Sequence, residues 1–116
     1  MKKLIPDKLW KSIVIAFIGE IYCNIRAIAI GYDGDSIIFR YYLDREPMDF
    51  DYESLEVVAT NFDSCRPASI PIKNINIECV YLKEKSRKDI DPLSSLFYAK
   101  RECYSLVLFI LWFYEK

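Results

Sequence analysis

Two runs of eight residues, each alternating in side-chain direction and joined by an Asp-Gly turn, constrain this chain more than any other feature. In Asn24–Gly31, Ile25, Ala27 and Ala29 alternate with Arg26, Ile28 and Ile30. That is the period of a β-strand. Tyr32-Asp33-Gly34-Asp35 follows, and Asp-Gly between alternating runs is the strongest short-range hairpin signal. Ser36–Leu43 is the return strand, with Ile37, Phe39, Tyr41 and Leu43 on one side and Ile38, Arg40 and Tyr42 on the other. A hairpin so rich in apolar residues cannot stand alone in water; it needs a partner layer on at least one face.

Two amphipathic segments supply that layer. From Asp7 to Tyr22, residues Leu9, Ile13, Ala16, Phe17 and Ile21 recur at helical spacing, with Lys8, Lys11, Ser12 and Glu20 away from them. Pro6 and Asp7 suit a helix start. Val14 and Ile18 widen the apolar face and predict a well-covered helix. After the hairpin, Asp44–Phe50 is a connection in which Pro47 prevents regular pairing. A second helix follows, capped by Asp49 or Asp51, with Tyr52, Leu55, Val58, Ala59 and Phe62 as its buried stripe. Arg66, Pro67 and Pro71 end it. Lys73–Leu82 alternates as a third strand, Lys83–Asp91 is a charged loop closed by Pro92, and Leu93–Lys100 is a fourth strand. The expectation is one α+β domain spanning residues 1–116, in the order α-β-β-α-β-β. It has an antiparallel sheet of four or five strands, built from two hairpins, with both helices packed on one face.

Composition excludes most chemistry. Among 116 residues there is no histidine, which removes the commonest general base, zinc ligand and pH switch together. Three Gly leave no phosphate-cradling loop. Cys23, Cys65, Cys79 and Cys103 are nowhere closer than 14 residues, so no metal-knuckle spacing exists. With no export signal, they read as reduced and mostly buried thiols of a cytoplasmic protein. The expectation is a non-enzyme with no cofactor and no metal. Arg26 and Arg40 lie on paired strands and read as structural.

The charge is unevenly spread. Asp44, Glu46, Asp49, Asp51, Glu53, Glu56 and Asp63 face Arg45 alone, so residues 44–63 carry −6 while the whole chain carries −1. The plainer reading of such a run is solvated surface. The sharper one is an edge of negative potential for a basic partner. Its candidate contacts are Asp44, Glu46, Asp49, Asp51, Glu53, Glu56 and Tyr42, the tyrosine that alternation turns away from the apolar strand face; Tyr41 and Tyr52 read as core. Direct nucleic-acid binding is not favoured. The basic loop Lys83–Lys88 interleaves acids and reads as solvated.

Asn-Ile-Arg-Ala-Ile at 24–28, the run Ile-Ile-Phe-Arg-Tyr-Tyr-Leu-Asp-Arg-Glu at 37–46, and an acidic helix start with Glu53 and Glu56 together resemble small bacterial immunity proteins. These partner the toxins of contact-dependent growth inhibition (CdiI-type) and related polymorphic-toxin systems. Ile77–Leu82 and Phe97-Tyr-Ala-Lys-Arg-Glu102 are similar to the same pattern. Leu43-Asp44-Arg45-Glu46 takes the place of the family's strand end and short acidic linker; Pro47 and Met48 depart from it. The resemblance covers residues 10–102. It implies a cytoplasmic protein that binds one cognate toxin domain, often a nuclease, in a one-to-one complex and blocks its activity.

Beyond the resemblance lies an apolar extension, residues 102–116. Its run Cys103–Tyr114 has 12 residues, short of the ~20 a membrane-spanning helix needs. A fifth buried strand, a docked helix and an exposed apolar tail are all compatible with it. It also supports an alternative function, a membrane-associated immunity or accessory protein that attaches through this segment.

Overall fold

The computed structural model describes residues 1–83 and 89–100. Along the chain run α1 (Asp7–Ala16), β1 (Ile25–Tyr32), β2 (Ser36–Leu43), α2 (Asp49–Cys65), β3 (Asn74–Tyr81) and β4 (Ser95–Ala99). The α+β class and the order α-β-β-α-β-β match the sequence reading. The fourth strand is shorter than the expected Leu93–Lys100; the fifth-strand option and the segment Cys103–Tyr114 fall outside the described residues, as does most of the Lys83–Lys88 loop.

The hairpin forms as expected. Ser36 N–H donates to Asp33 Oδ1 at 3.0 Å and Asp33 N–H to the Ser36 carbonyl at 3.2 Å, closing the turn. Gly34 sits there at φ +109, a conformation that side chains rarely adopt. β1 and β2 pair antiparallel from Ile25↔Leu43 to Tyr32↔Ile37, with a bulge between Ile25 and Ala27. That extra residue flips the alternation, so Ile25 joins Ile28, Ile30 and Tyr32 on the helix-facing side. Simple alternation had put Ile25 with Ala27 and Ala29.

The expected second hairpin does not form, and the sheet is mixed, in the order β3-β2-β1-β4. β3 pairs parallel with β2, in register from Ser36↔Asn74 to Leu43↔Tyr81. The reason is α2. A helix between two neighbouring strands carries the chain back to the end where it started, and the next strand enters in the same direction. β4 crosses to the far edge and pairs antiparallel with β1. Arg40 and Glu78 face each other across the parallel pair and make an ion pair at 2.5 Å. Arg26 Nη1 donates to the Leu82 carbonyl at 3.0 Å. Both arginines thus serve the fold.

Both helices cover one face, again as expected. Leu9, Ile13, Ala16 and Phe17 meet Leu55, Val58 and Phe62 over Ile28, Ile30, Phe39, Tyr41 and Leu43. Phe39 lies edge-on to Phe17, 5.7 Å away, and edge-on to Phe62, 5.4 Å away, tying both helices to the sheet. Ser12 Oγ of α1 donates to the Cys65 carbonyl at the end of α2, at 3.0 Å. The opposite sheet face is covered too. Ala27, Ala29, Tyr42 and Leu82 form a smaller cluster with Val80, Ile90 and Leu93, so all eight β1 residues are buried.

Two further expectations need correction. The first helix ends at Ala16, not Tyr22. Three-residue turns replace the helical ladder (Phe17 N–H to Val14, Ile18 N–H to Ile15, Glu20 N–H to Phe17), and Gly19 takes φ +82. Val14, on the outward side of α1, and Ile18, past its end, stay exposed, at 51% and 70%, beside Phe17, Ile21 and Phe97 in a shallow apolar groove. The thiols are also less buried than expected. Cys23 and Cys65 are exposed, and Cys79 is half-buried. Cys65 is the last residue of α2, beyond the buried stripe.

Candidate functional site

The acidic run begins where β2 leaves the sheet. Asp44 N–H donates to the Asn24 carbonyl at 3.0 Å, and Asn24 Nδ2 donates to Asp44 Oδ1 at 3.0 Å. Arg45 then turns back over the start of α2. Its Nη1 donates to Asp51 Oδ2 at 2.6 Å and its Nη2 to Asp51 Oδ1 at 3.1 Å, a two-pronged ion pair. Asp51 Oδ2 also accepts Met48 N–H at 2.7 Å, and Oδ1 accepts the Tyr22 hydroxyl. The third helical residue thus satisfies the open N–H ahead of the helix.

Asp51 has no accessible surface. Burial pushes its pKa up, but the hydrogen bonds from Arg45, Tyr22 and Met48 N–H outweigh that and hold it below its ordinary value. The same cluster pushes the Tyr22 hydroxyl up, through burial first and Asp51 second. Arg45 is held above its ordinary value by the hydrogen bond to Asp51. Behind it, the buried Tyr41 hydroxyl shares a 2.7 Å hydrogen bond with Ser54, and Ser54 Oγ donates to Glu20 Oε1 at 2.9 Å. Burial pushes Tyr41 up to about 12.

These contacts divide the sequence-predicted residues. Asp51 is an internal support with nothing to offer a partner, because one turn of chain brings Arg45 onto it. Tyr42 is also withdrawn: it is 3% exposed under the cover of Leu82 and Leu93, and its hydroxyl accepts Arg40 Nη1 and Asp91 N–H. Asp63 stands apart at the other end of α2, paired with Arg66 at 2.9 Å. Asp44, Glu46, Asp49, Glu53 and Glu56 are all exposed, and among the described residues none of the five is in an ion pair. Asp49, Glu53 and Glu56 stand at helical spacing on one face of α2. Glu53 and Glu56 border a shallow groove with Val57, Thr60 and Asn61.

The buried stripe of α2 is Asp51, Ser54, Leu55, Val58 and Phe62. It is turned from the expected one, because Asp51 and Ser54 occupy the place given to Tyr52. Tyr52 is 41% exposed. Met48, Phe50 and Val57 are exposed as well, at 56%, 57% and 43%. These apolar neighbours of the carboxylates were not among the sequence candidates. The available signal was Phe50 itself, a large apolar residue off the stripe and between two acids.

Among the described residues no group of three or more acids and thiols gathers to hold a metal, and no helix is long and apolar enough to cross a membrane. The surface offers a rim of negative charge around apolar side chains. Such a surface attracts a cationic partner from a distance and then excludes water on contact. Compared with known proteins, the chain matches over residues 6–102 the sequence profile of a family described as MafI2 immunity protein. No curated protein matches the chain.

Proposed function

This chain belongs to the MafI2 immunity protein family, and from that membership we propose that it neutralises one cognate toxin domain by binding it through the acidic surface at the start of α2. The resemblance to immunity proteins of polymorphic-toxin systems agrees with the family, whose description names MafI2 and not the contact-dependent growth-inhibition type. Inhibition is by occupancy, not catalysis, in a one-to-one complex in the cytoplasm.

The observation that carries this reading is the set of five exposed carboxylates, Asp44, Glu46, Asp49, Glu53 and Glu56, which no cation among the described residues pairs once Arg45 is taken up by Asp51. A nuclease fits as the target. An enzyme that grips a polyanion presents Lys and Arg, and carboxylates held on a rigid helix stand where phosphates would stand. Charge of this kind raises the association rate and fixes the register, while buried contacts set the dissociation rate.

Co-expression tests the reading directly. Cells producing the toxin domain encoded beside this chain should die alone and survive with it, and the two purified proteins should form a one-to-one complex by light scattering. Survival that requires no physical complex would refute the binding mechanism.

A further inference from the structure

Met48 and Phe50 leave more than half of their surface in water on a segment that is otherwise tightly held. The hold is visible bond by bond. Met48 N–H is fixed by Asp51, Asp51 by Arg45 and Tyr22, and Asp44 by Asn24. The Phe50 ring stands edge-on to Tyr22 at 5.0 Å, so its orientation is set by the same tyrosine that binds Asp51. Val57 continues this surface two helical turns along α2, with Glu53 between it and Phe50. An exposed apolar ring that already packs against a neighbour, on a backbone held by hydrogen bonds, loses less conformational freedom when a partner closes on it.

The flanking charges restrict that partner. Glu46, Asp49 and Glu53 repel nucleic acid and anionic lipid alike. A second copy docking through the same patch would set five carboxylates against five, since a two-fold interface joins identical surfaces. Charge complementarity instead selects a protein with an apolar pocket rimmed by Lys and Arg. We infer that Phe50, backed by Met48, is the apolar anchor of the toxin interface, seated in such a pocket of the toxin domain, and that the surrounding carboxylates steer rather than hold. This rests on the immunity reading above.

Binding kinetics separate the two roles. Wild-type chain and the Phe50→Ala and Phe50→Leu variants are measured by surface plasmon resonance against a catalytically inactivated toxin domain, across a salt series. Phe50→Ala should raise the dissociation rate by about 30-fold or more, the ratio expected of a central aromatic anchor. The association rate should stay within about threefold and keep its salt dependence, because no charge has changed. Phe50→Leu should recover part of the loss, and the melting temperature of both variants should be near that of the wild type. A dissociation rate unmoved by Phe50→Ala, in a wild-type complex that forms tightly, overturns the anchor and leaves the immunity reading standing. A wild-type chain that does not bind the toxin overturns the immunity reading and the anchor with it. If sedimentation shows Phe50→Ala turning a dimer into a monomer while toxin dissociation is unchanged, the patch belongs to a second copy, and the anchor is again refuted.

Discussion

Replacing Asp51 by alanine should destabilise the protein by about 3 kcal/mol, because it leaves a cation and two hydrogen-bond donors without their buried acceptor. The carboxylate is wholly inaccessible and accepts from Arg45, Tyr22 and Met48 N–H. Arg45 keeps some contact with water, which places the cost toward the lower end of the range for broken buried pairs. Over a chain of this length, that corresponds to a fall in Tm on the order of 12 °C. Arg45→Ala should cost a comparable amount. The double variant should cost clearly less than the two together, since the charges no longer strand one another. Scanning calorimetry reads all three.

The same carboxylate fixes a pH dependence. Its pKa in the folded state lies below the ordinary value, so the ionised form is what the fold stabilises. That contribution is fully present above the unfolded-state value near ~3.9 and is lost as pH falls through the folded value. Wild-type stability should therefore fall steeply below about pH 4, and the Asp51→Ala variant should lose that part of the slope. Asp91 shifts in the same direction beside Lys2, but that pair is at the surface and its part disappears in high salt. The Asp51 part persists there.

The second large effect concerns binding. Reversing Asp44, Glu46, Asp49 and Glu53 to lysine should slow association with the toxin domain by about 100-fold or more at low salt, within the range that electrostatic steering supplies. The difference should shrink as salt rises toward and beyond physiological strength, where the screening length is about 8 Å. All four side chains are exposed and, among the described residues, outside ion pairs, so the variant should fold. Asp44 gives up one exposed hydrogen bond from Asn24, and Asp49, in the first turn of α2, a favourable helix-end interaction of about 0.3–1 kcal/mol. Stopped-flow association rates across a salt series decide it. Unchanged rates would mean that the carboxylates are solvated surface and nothing more.

The parts of this architecture that follow from local rules were legible in the sequence. Alternation with an Asp-Gly turn specified β1, β2 and their register direction. Helical spacing located α2 and placed Leu9, Ile13, Ala16 and Phe17 inward, but it also counted Ile21, which is exposed past the helix end, and put Ser12 outward although it is buried against the end of α2. What resisted reading depends on contacts distant in the chain. Nothing in Lys73–Leu82 states that it joins β2 rather than β4, because alternation is the same in parallel and antiparallel pairs. Tyr42 lies on the strand face opposite the helices, and only the return of Leu82 and Leu93 shows that this face is covered too. An aspartate inside an acidic run reads as exposed until the bend at Asp44 and Arg45 brings Arg45 across it. Once Asp51 is taken inward, α2 rotates about its axis, Tyr52 leaves the core, and Phe50 faces solvent. The acidic candidates other than Asp51 stayed on the surface because side chains of that kind, without a cation nearby, cannot be buried at tolerable cost.

The proposed interface places the toxin over the segment from Asp44 to Asn61. Titrating isotope-labelled protein with unlabelled toxin domain, and following backbone amide resonances by NMR, tests that claim most directly. The largest shifts and broadening should cluster between Asp44 and Asn61, Phe50 included, while the outer edge of β3 and the groove at Val14, Ile18 and Phe97 remain unmoved. Perturbation confined to that groove or that edge, with Asp44–Asn61 undisturbed in a saturated complex, would contradict it.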